Sequence, residues 1–380
     1  MRIGIITGEY PPMQGGVGAY SRIIAKTLVE QGHDVFVLSN NTTRETNPSI
    51  TLSNTIKKWN LVSLRAVRRW VLANQLDVVN LQYQTAAFDM SPWIHFLPNY
   101  LSGIPFVTTF HDLLFPYLFP KAGPLRDWIV MRLARTSAGV IATNQEDMLR
   151  LQHLPYSRLI PIGSNILTDL PDDFDKKKLR ESVGAAEEDF IMAHFGFMNR
   201  SKGIETLLLA MSKLRDKGFP VRLVMIGGRT GSSDPTNAAY ADEIDALIDK
   251  LNLNDLIHWT GFVGDEQVTS YFAITDAVVL PFSDGISYRR GSLMAAIQHG
   301  CAIVSTQPKL DIPIFVHGEN MLLFPISDVD TLVKQMKSLM ADPVQRERLR
   351  EGALELSGHF DWDEITRECL SLFEEVSETA

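Results

Sequence analysis

The strongest constraint on the fold is a repeated alternation of short β-branched runs with longer amphipathic segments. Short apolar runs are typical of buried strands, and strands separated by helices indicate βαβ units and a parallel sheet. The alternation occurs in two successive series, so the sequence predicts two doubly wound sheets. The predicted strands of the first series are 2–7, 34–38, 77–81, 105–109, 139–143 and 158–162, and those of the second are 190–195, 221–226, 257–259, 277–280, 302–305 and 322–324.

The pattern breaks between the two series, at 165–178. This stretch contains Pro171, then the three aspartates Asp172, Asp173 and Asp175, and a lysine run, as expected for an interdomain linker that leads into a helix. A chain of 380 residues also suits two domains of about 150–200 residues each. We predict two Rossmann-like α/β domains, at 1–168 and 169–358, which face a cleft and bind ligands beyond the carboxyl ends of their strands.

Charge and cysteine content argue against several classes of protein. The formal net charge is -9, which disfavours non-specific nucleic-acid binding, because such binding needs concentrated Lys and Arg. The two cysteines, Cys301 and Cys369, suggest neither a disulfide framework nor a metal-type spacing. The sequence begins directly with a strand and has no apolar run of about 18 residues, so we expect a cytoplasmic protein without a membrane span.

A glycine-rich turn, Gly15-Gly16-Val17-Gly18, follows the first predicted strand. Glycine lets backbone amides approach a ligand closely, and the helix that begins here adds partial positive charge. Gly15 and Gly16 are therefore candidate contacts to a phosphate or a sugar hydroxyl, although a tight turn without a ligand would use the same residues. The spacing does not match G-x-G-x-x-G, which argues against a nicotinamide cofactor.

A basic loop follows the first predicted strand of the second series. Gly196 ends that strand, and the loop then carries Arg200 and Lys202 to the start of the next helix. Two cations beside exposed backbone amides can neutralise a diphosphate. The alternative is a solvated basic loop without a ligand.

A third polar loop precedes a helix near residue 291. It offers Asp284, the adjacent arginines Arg289 and Arg290, and a helix start at Gly291-Ser292. A carboxylate, hydroxyls and guanidinium groups together suit phosphates and sugar hydroxyls. The same arginines could instead pair with nearby acids in a solvated loop.

The order of these three loops resembles glycosyltransferase family four, a group of retaining enzymes with the two-domain GT-B fold. Further segments are similar to elements of that family and extend the resemblance over nearly the whole chain. In the family, the segment that corresponds to Phe360-Asp361-Trp362 starts a helix that crosses back to the N-terminal domain. The resemblance therefore implies such a crossing helix at 359–380. The segments are Gly8-Glu9-Tyr10-Pro11-Pro12, Thr109-Phe110-His111-Asp112, Ile160-Pro161-Ile162-Gly163-Ser164-Asn165, Gly318-Glu319-Asn320-Met321-Leu322-Leu323 and Phe360-Asp361-Trp362.

The resemblance also implies where the sugar binds. His111 is expected near the transferring sugar, where its imidazole can donate to a hydroxyl, and Asp284 is expected to hold the same sugar. Glu319 lies where the family binds donor hydroxyls or the ribose. Without the resemblance, a buried structural histidine and an exposed loop acid would be the simpler interpretations of His111 and Glu319.

Two positions depart from the family pattern. Phe197 stands where the family usually has an arginine, and Ala295 stands where it has the second of two glutamates. The first glutamate corresponds to Asp284 if the loop is longer here, or to Ser287 if the spacing is held, and we prefer Asp284 because it keeps the acid-glycine pair. The chain thus resembles a variant subgroup without the usual paired glutamates, with 289–292 as a replacement for the missing contacts.

The resemblance implies transfer of a sugar from a nucleotide-sugar co-substrate, with retention of configuration, to a glycan, lipid or small-molecule acceptor. Lys202, Arg200 and the 289–292 turn would neutralise the leaving diphosphate, so no metal and no further cofactor are expected. A related GT-B epimerase or phosphorylase is one alternative. A second alternative is a nucleotide-sugar-binding protein without catalytic activity. It is suggested by Phe197 and Ala295, which replace residues that the family usually has.

A basic segment from Lys57 to Trp70 predicts a helix that carries arginines and tryptophans. Such a helix could lie on an anionic membrane surface as a peripheral contact. It could equally pack its apolar face on the sheet and leave its charges in water.

Overall fold

The computed structural model describes residues 1–13, 15–113, 123–229 and 235–379. The chain divides into two compact units: unit 1 consists of Met1–Asn165 and Phe360–Ala380, and unit 2 of Ile166–His359. The predicted boundaries, after residues 168 and 358, lie within three residues of these.

Unit 1 contains a parallel sheet. Among the described residues it has seven strands in the order β3-β2-β1-β4-β5-β6-β7. Ile3 of β1 lies opposite Val35 of β2 on one side and Val78 of β4 on the other, so the strand order reverses between β1 and β4. The strands are β1 Arg2–Thr7, β2 Asp34–Asn40, β3 Ile50–Ile56, β4 Val78–Tyr83, β5 Phe106–Phe110, β6 Gly139–Ala142 and β7 Ser157–Leu159.

Helices connect most of these strands, as the alternation in the sequence predicts, whereas β2 and β3 are joined by residues 41–49 without a helix. Helix α1 begins at Gly16, and Gly32, with a φ of 87°, follows its C-terminus, because glycine adopts the left-handed conformation that ends many helices. The described helices of this part of the chain are α1 Gly16–Glu30, α2 Leu61–Ala73, α3 Leu97–Tyr100, α4 Gly123–Thr136 and α5 Gln145–Leu151.

Unit 2 contains a second parallel sheet, with six described strands in the order β10-β9-β8-β11-β12-β13. Its strands are β8 Phe190–Phe195, β9 Val221–Ile226, β10 Ile257–Gly261, β11 Ala277–Leu280, β12 Ile303–Thr306 and β13 Leu322–Phe324, and its helices are α6 Lys176–Ser182, α7 Ile204–Asp216, α8 Pro235–Lys250, α9 Asp265–Ile274, α10 Gly291–Gln298, α11 Val329–Ala341 and α12 Pro343–Ser357. The predicted fold class, two parallel-sheet α/β domains, is confirmed.

Helix α13, Trp362–Glu378, belongs to unit 1. The side chain of Asp361 caps it by accepting from the amides of Asp363 and Glu364. Its buried positions recur at the spacing of one helix face and pack in the same core cluster as strands β1 and β4. The apolar residues at these positions are Ile365, Cys369, Leu370, Leu372, Phe373 and Val376.

Candidate functional site

Lys202 lies in unit 2, in the loop that follows strand β8. Its Nζ donates to Ser292 Oγ at 2.8 Å and lies 5.1 Å from the centroid of the Phe282 ring. A Cβ on Gly196 would lie only 3.1 Å from this Nζ, and the φ of Gly196 is +123°. Gly196 is therefore required both by the backbone conformation and by the close approach of the ammonium group.

Arg290 lies beside Lys202. Its guanidinium is 4.6 Å from the centroid of the same Phe282 ring, it donates to Ser201 Oγ at 3.3 Å, and it pairs with Asp284. Lys202 and Arg290 therefore lie near the same aromatic ring at the carboxyl end of the sheet. Because they repel each other, each makes the charged form of the other less favourable.

Asp284 is engaged by both arginines of its loop. Arg290 contacts one carboxylate oxygen, and Arg289 Nη2 lies 3.6 Å from the other. Gly291 is the first residue of α10 and Ser292 is buried in its first turn. The structure therefore brings Gly196, Lys202, Asp284 and the turn 289–292 together in one group.

The charge state of Lys202 is set by this environment. Burial, and after it the charge of Arg290, lower the pKa of the ammonium to about 7, and the charge of Asp284 opposes this shift. Among the described residues no carboxylate lies within ion-pair distance of Lys202. A desolvated cation without a carboxylate partner is costly, so this position favours a bound anion.

His194, on the neighbouring strand β8, contributes a polar atom to the same region. Its Nδ1 donates to the Val279 carbonyl at 3.0 Å, and its Nε2 is buried without a hydrogen-bond partner among the described residues. Burial, together with the charge of Lys202, lowers the pKa of His194 to about 4, so the ring is neutral at pH 7.

Two predicted donor-binding residues lie outside this group. Arg200 pairs with Glu243 of α8, and its guanidinium lies 5.3 Å from the Tyr240 ring centroid. Glu319 is exposed in the turn before β13. No contact joins the side chain of Arg200 or Glu319 to Lys202 in the described parts of the chain.

The unit 1 candidates lie at the carboxyl end of the first sheet. His111 follows β5, and its Nε2 lies 2.9 Å from Oε1 of Gln82 on β4. The Gln82 amide donates to Asn80 Oδ1, and Asn80 Nδ2 donates to Thr109 Oγ1 at 3.0 Å and to the Val107 carbonyl at 3.2 Å. A chain of amide hydrogen bonds therefore runs through the buried sheet and ends at the imidazole.

The His111 ring also makes an aromatic contact. Tyr20 of α1 meets it edge-on, with ring centroids 4.8 Å apart, and Trp362 of α13 meets Tyr20 at 5.3 Å. Desolvation lowers the pKa of His111 to about 3, so the imidazole is neutral throughout the physiological range.

Gly15 and Gly16 lie at the start of α1, beside a carboxylate of the chain itself. A Cβ on Gly15 would collide with the Glu9 carboxylate, whose pKa is raised by burial while the Gly18 amide, which donates to it, opposes the shift. The helix N-terminus already faces this acid. That arrangement disfavours a phosphate and suits a sugar hydroxyl better.

Sequence reasoning missed several residues that now belong to the two groups. Asn80 lies in the predicted strand 77–81 and Gln82 directly follows it. Two amides at alternate positions of an apolar run lie on one face of a strand, which is the signal that could have identified them. Nothing in the sequence marks Phe282, whose ring contacts both Lys202 and Arg290, or Tyr20, because their partners are distant in sequence.

The described residues contain neither a metal-binding cluster nor a membrane-spanning helix. No group of three or more His, Cys, Asp or Glu side chains is placed to hold a metal ion in those parts of the chain. Nor does any helix within them have the length and apolarity that crossing a membrane would require.

Both units have the architecture of GT-B glycosyltransferases, as solved structures show. The chain aligns with sucrose-phosphate synthase from Thermosynechococcus elongatus at a TM-score of 0.77 and 20% identity, over 100% of both chains. It aligns equally well with HepE from Anabaena in complex with UDP, at a TM-score of 0.77 and 18% identity, over 99% of this chain and 100% of that one.

Sequence comparisons then define the family. Residues 14–164 match the model described as Glycosyltransferase Family 4, and residues 175–355 match the model described as Glycosyl transferases group 1. A phosphatidyl-myo-inositol mannosyltransferase of Mycolicibacterium smegmatis is 22% identical over 99% of this chain and 94% of its own length. The chain belongs to the glycosyltransferases of the family-four type.

Proposed function

We propose that the protein transfers a sugar from a nucleotide-sugar donor to a glycan, lipid or small-molecule acceptor with retention of configuration and without a metal. The bond between the anomeric carbon and the diphosphate oxygen breaks, and its electron pair leaves with the nucleoside diphosphate. The acceptor oxygen bonds to the anomeric carbon on the same face, and its proton passes to the departing phosphate oxygen. The sugar is oxocarbenium-like at the transition state.

The desolvated ammonium of Lys202 is the observation that carries this proposal. It has a hydroxyl and an aromatic ring as neighbours, lies beside Arg290, and has no carboxylate partner among the described residues. A diphosphate would supply the missing negative charge, and that charge grows as the sugar departs, so the interaction strengthens in the transition state.

Each remaining residue takes a role that its contacts allow. Arg290 serves as the second cation in place of an arginine at Phe197. Asp284, which is paired with Arg289 and Arg290, orients these arginines rather than holding the sugar. His111 contacts a hydroxyl of the transferring sugar, and Arg200, paired with Glu243, does not bind the diphosphate.

UDP and UDP-glucose are suitable first probes, because HepE, a fold neighbour, has been solved with each of them. Calorimetric titration with UDP should show that Lys202→Met and Arg290→Met each weaken binding at least about tenfold, the effect of about 1.4 kcal/mol from a charge-assisted hydrogen bond. Arg200→Met is the matched control, since it removes a cation from the same loop and should change affinity less than about twofold.

An equal loss of UDP affinity in Arg200→Met and Lys202→Met would contradict the proposal that Lys202 and Arg290 bind the diphosphate. Slow hydrolysis of UDP-glucose separates a transferase from a silent binder. A protein that binds UDP tightly but neither hydrolyses nor transfers from any nucleotide sugar tested would contradict the catalytic part of the proposal.

We further propose that α2 rests on an anionic membrane surface, with the protein in the cytoplasm. The arginines Arg65, Arg68 and Arg69 are exposed on this helix together with Leu61 and Val62. No ion pair engages these arginines among the described residues. The tryptophans do not contribute to the surface, because Trp59 and Trp70 are 4% and 8% exposed and pack into the core.

Co-sedimentation with phosphatidylglycerol vesicles tests the membrane contact. The triple variant Arg65→Gln, Arg68→Gln, Arg69→Gln should bind on the order of 100-fold more weakly, because each basic residue contributes about 1 kcal/mol at an anionic surface. The matched control removes three charges from exposed α6, as Lys176→Gln, Lys177→Gln, Lys178→Gln, and should bind like the parent. Equal binding of parent and α2 variant would exclude α2 as the contact.

A further inference from the structure

The inference concerns the hydrogen position on His111, which the amide chain behind it determines. The chain starts at the Val107 carbonyl, a group that can only accept. The Asn80 atom 3.2 Å from that carbonyl is therefore the amide nitrogen Nδ2. It follows that Asn80 turns its oxygen, Oδ1, towards Gln82.

The same logic continues to the imidazole. Because Asn80 Oδ1 accepts, Gln82 presents its nitrogen to Asn80 and its oxygen, Oε1, to His111. Oε1 has no hydrogen to donate, so the His111 nitrogen that lies 2.9 Å from it, Nε2, must carry one. In a neutral imidazole the other nitrogen, Nδ1, then holds the lone pair.

Burial makes this arrangement rigid. Asn80 and Gln82 are 2% and 1% exposed, so a reversed amide would leave two buried donors or acceptors facing each other, at a cost that water cannot relieve. Tyr20 holds the ring through its edge-on contact. Thr109, fully buried on β5, accepts from Asn80 and fixes the start of the chain.

We propose that Asn80 and Gln82 are positioning residues that hold His111 as the Nε2–H tautomer, so that the site offers a sugar hydroxyl an acceptor nitrogen and no imidazole donor. This reverses the direction of the hydrogen bond expected from the sequence, in which the imidazole donates. The part that concerns the sugar rests on the proposed function, whereas the tautomer is a property of the unliganded protein.

Nuclear magnetic resonance of the full-length protein with isotope-labelled histidine tests the tautomer directly. The signal of His111 is assigned by its loss in His111→Asn. In the parent protein, at neutral pH, we expect hydrogen on Nε2, protected from exchange with water, and none on Nδ1. Hydrogen on Nδ1, or a charged ring, would overturn the proposal whether or not the protein is a glycosyltransferase.

Two variants of Gln82 test the positioning role. Gln82→Met removes the acceptor, so the protected Nε2 hydrogen should be lost and the ratio of the two tautomers should fall about five- to tenfold, the weight of one net hydrogen bond. Gln82→Glu keeps an acceptor oxygen and should retain the Nε2–H tautomer. Gln335→Met is the matched control, since Gln335 is a similarly buried glutamine on α11 of unit 2.

Turnover of UDP-glucose supplies the functional readout. Gln82→Met should lower kcat about tenfold or more with a smaller change in KM, while Gln335→Met should leave both unchanged. An unchanged tautomer and unchanged kcat in Gln82→Met would overturn the positioning role. If the parent protein uses no nucleotide sugar, the proposed function fails, and the resonance experiment still decides the tautomer.

Discussion

The protonation of Lys202 can change when a ligand binds, because the pKa of its ammonium group lies close to neutral pH. Its pKa is lowered to about 7 by burial and by Arg290, with Asp284 acting against the shift. A bound diphosphate adds negative charge beside it and raises the pKa again. Binding of the anion and binding of a proton to Lys202 are therefore linked.

The linkage predicts the pH dependence of donor binding. As the pH rises above about 7, free Lys202 loses its proton, and the diphosphate must restore it, so UDP affinity should fall by up to about tenfold per pH unit. UDP itself keeps a constant charge in this range, since the second pKa of a phosphate is about 6. Titration calorimetry at neutral and alkaline pH measures the effect.

Lys202→Met is the control for this prediction, because it removes the titrating group and should give an affinity that hardly varies with pH. His194 also lies near the ammonium group, but its pKa is lowered to about 4 by burial and by the charge of Lys202, so its ring stays neutral between about pH 7 and pH 9. A parent protein whose UDP affinity is constant over that range would contradict the linkage.

How far sequence predicts the site depends on whether partners are neighbours in the chain. Gly196 and Lys202 stand in one loop, and their loop position alone marks them as candidates. The pairing of Arg200 with Glu243 joins residues 43 apart, and that of His111 with Gln82 joins residues 29 apart. Nothing local in the sequence reveals such contacts, because they arise only when strands and helices pack.

At the scale of elements, strands with apolar residues on both faces are the predictable ones. The predicted strands 190–195 and 221–226 coincide with β8 and β9, which lie inside the sheet. Strand β3, Ile50–Ile56, was missed because it is an edge strand with a polar middle. Helix α12 was also missed, since only three of its positions are buried and its sequence is strongly polar.

Helix α13 provides a prediction about an element. Phe373 is fully buried in the core of unit 1, so Phe373→Ala should destabilise that unit by about 3–5 kcal/mol. Denaturant unfolding gives the size of the loss, and hydrogen exchange gives its location, in β1 and β4. Glu374→Ala, the exposed neighbour on the same helix, is the control and should change stability by less than about 0.5 kcal/mol.

If Phe373→Ala lowered hydrogen-exchange protection equally in β8 and β9 of unit 2, α13 would stabilise more of the protein than unit 1, and the prediction would be wrong. The core cluster of Phe373 contains residues of unit 1 alone among the described core residues, so we expect the exchange rates of β8 and β9 to be unaffected.

At the scale of the whole molecule, buried neutral histidines occur in both units. Burial lowers the pKa of His95 and His194 to about 4 and that of His111 to about 3, from an ordinary value of 6.5. Between the lowered and the ordinary pKa, the unfolded chain binds more protons than the folded protein. Stability contributed by these rings is therefore complete above about pH 6.5 and declines as the pH falls towards 4.

Urea unfolding at about pH 7.5 and about pH 5 tests this prediction, and hydrogen exchange reports each unit separately. Both units should unfold at lower urea concentration at the acid pH, unit 1 through His95 and His111 and unit 2 through His194. His153→Gln, a change at an exposed position of unit 1, should leave the difference between the two pH values intact. Identical midpoints at both pH values would contradict the prediction.

The placement of α13 has a consequence for biosynthesis. The strands that it covers are complete by residue 165, but the ribosome must add roughly 200 further residues before α13 emerges, which takes roughly 10–40 s at ordinary elongation rates. During that interval the nascent chain exposes the apolar residues of unit 1 against which Ile365 and Phe373 pack in the folded protein. Chaperones that recognise exposed apolar surface therefore have a defined target on this polypeptide until its synthesis has passed α13.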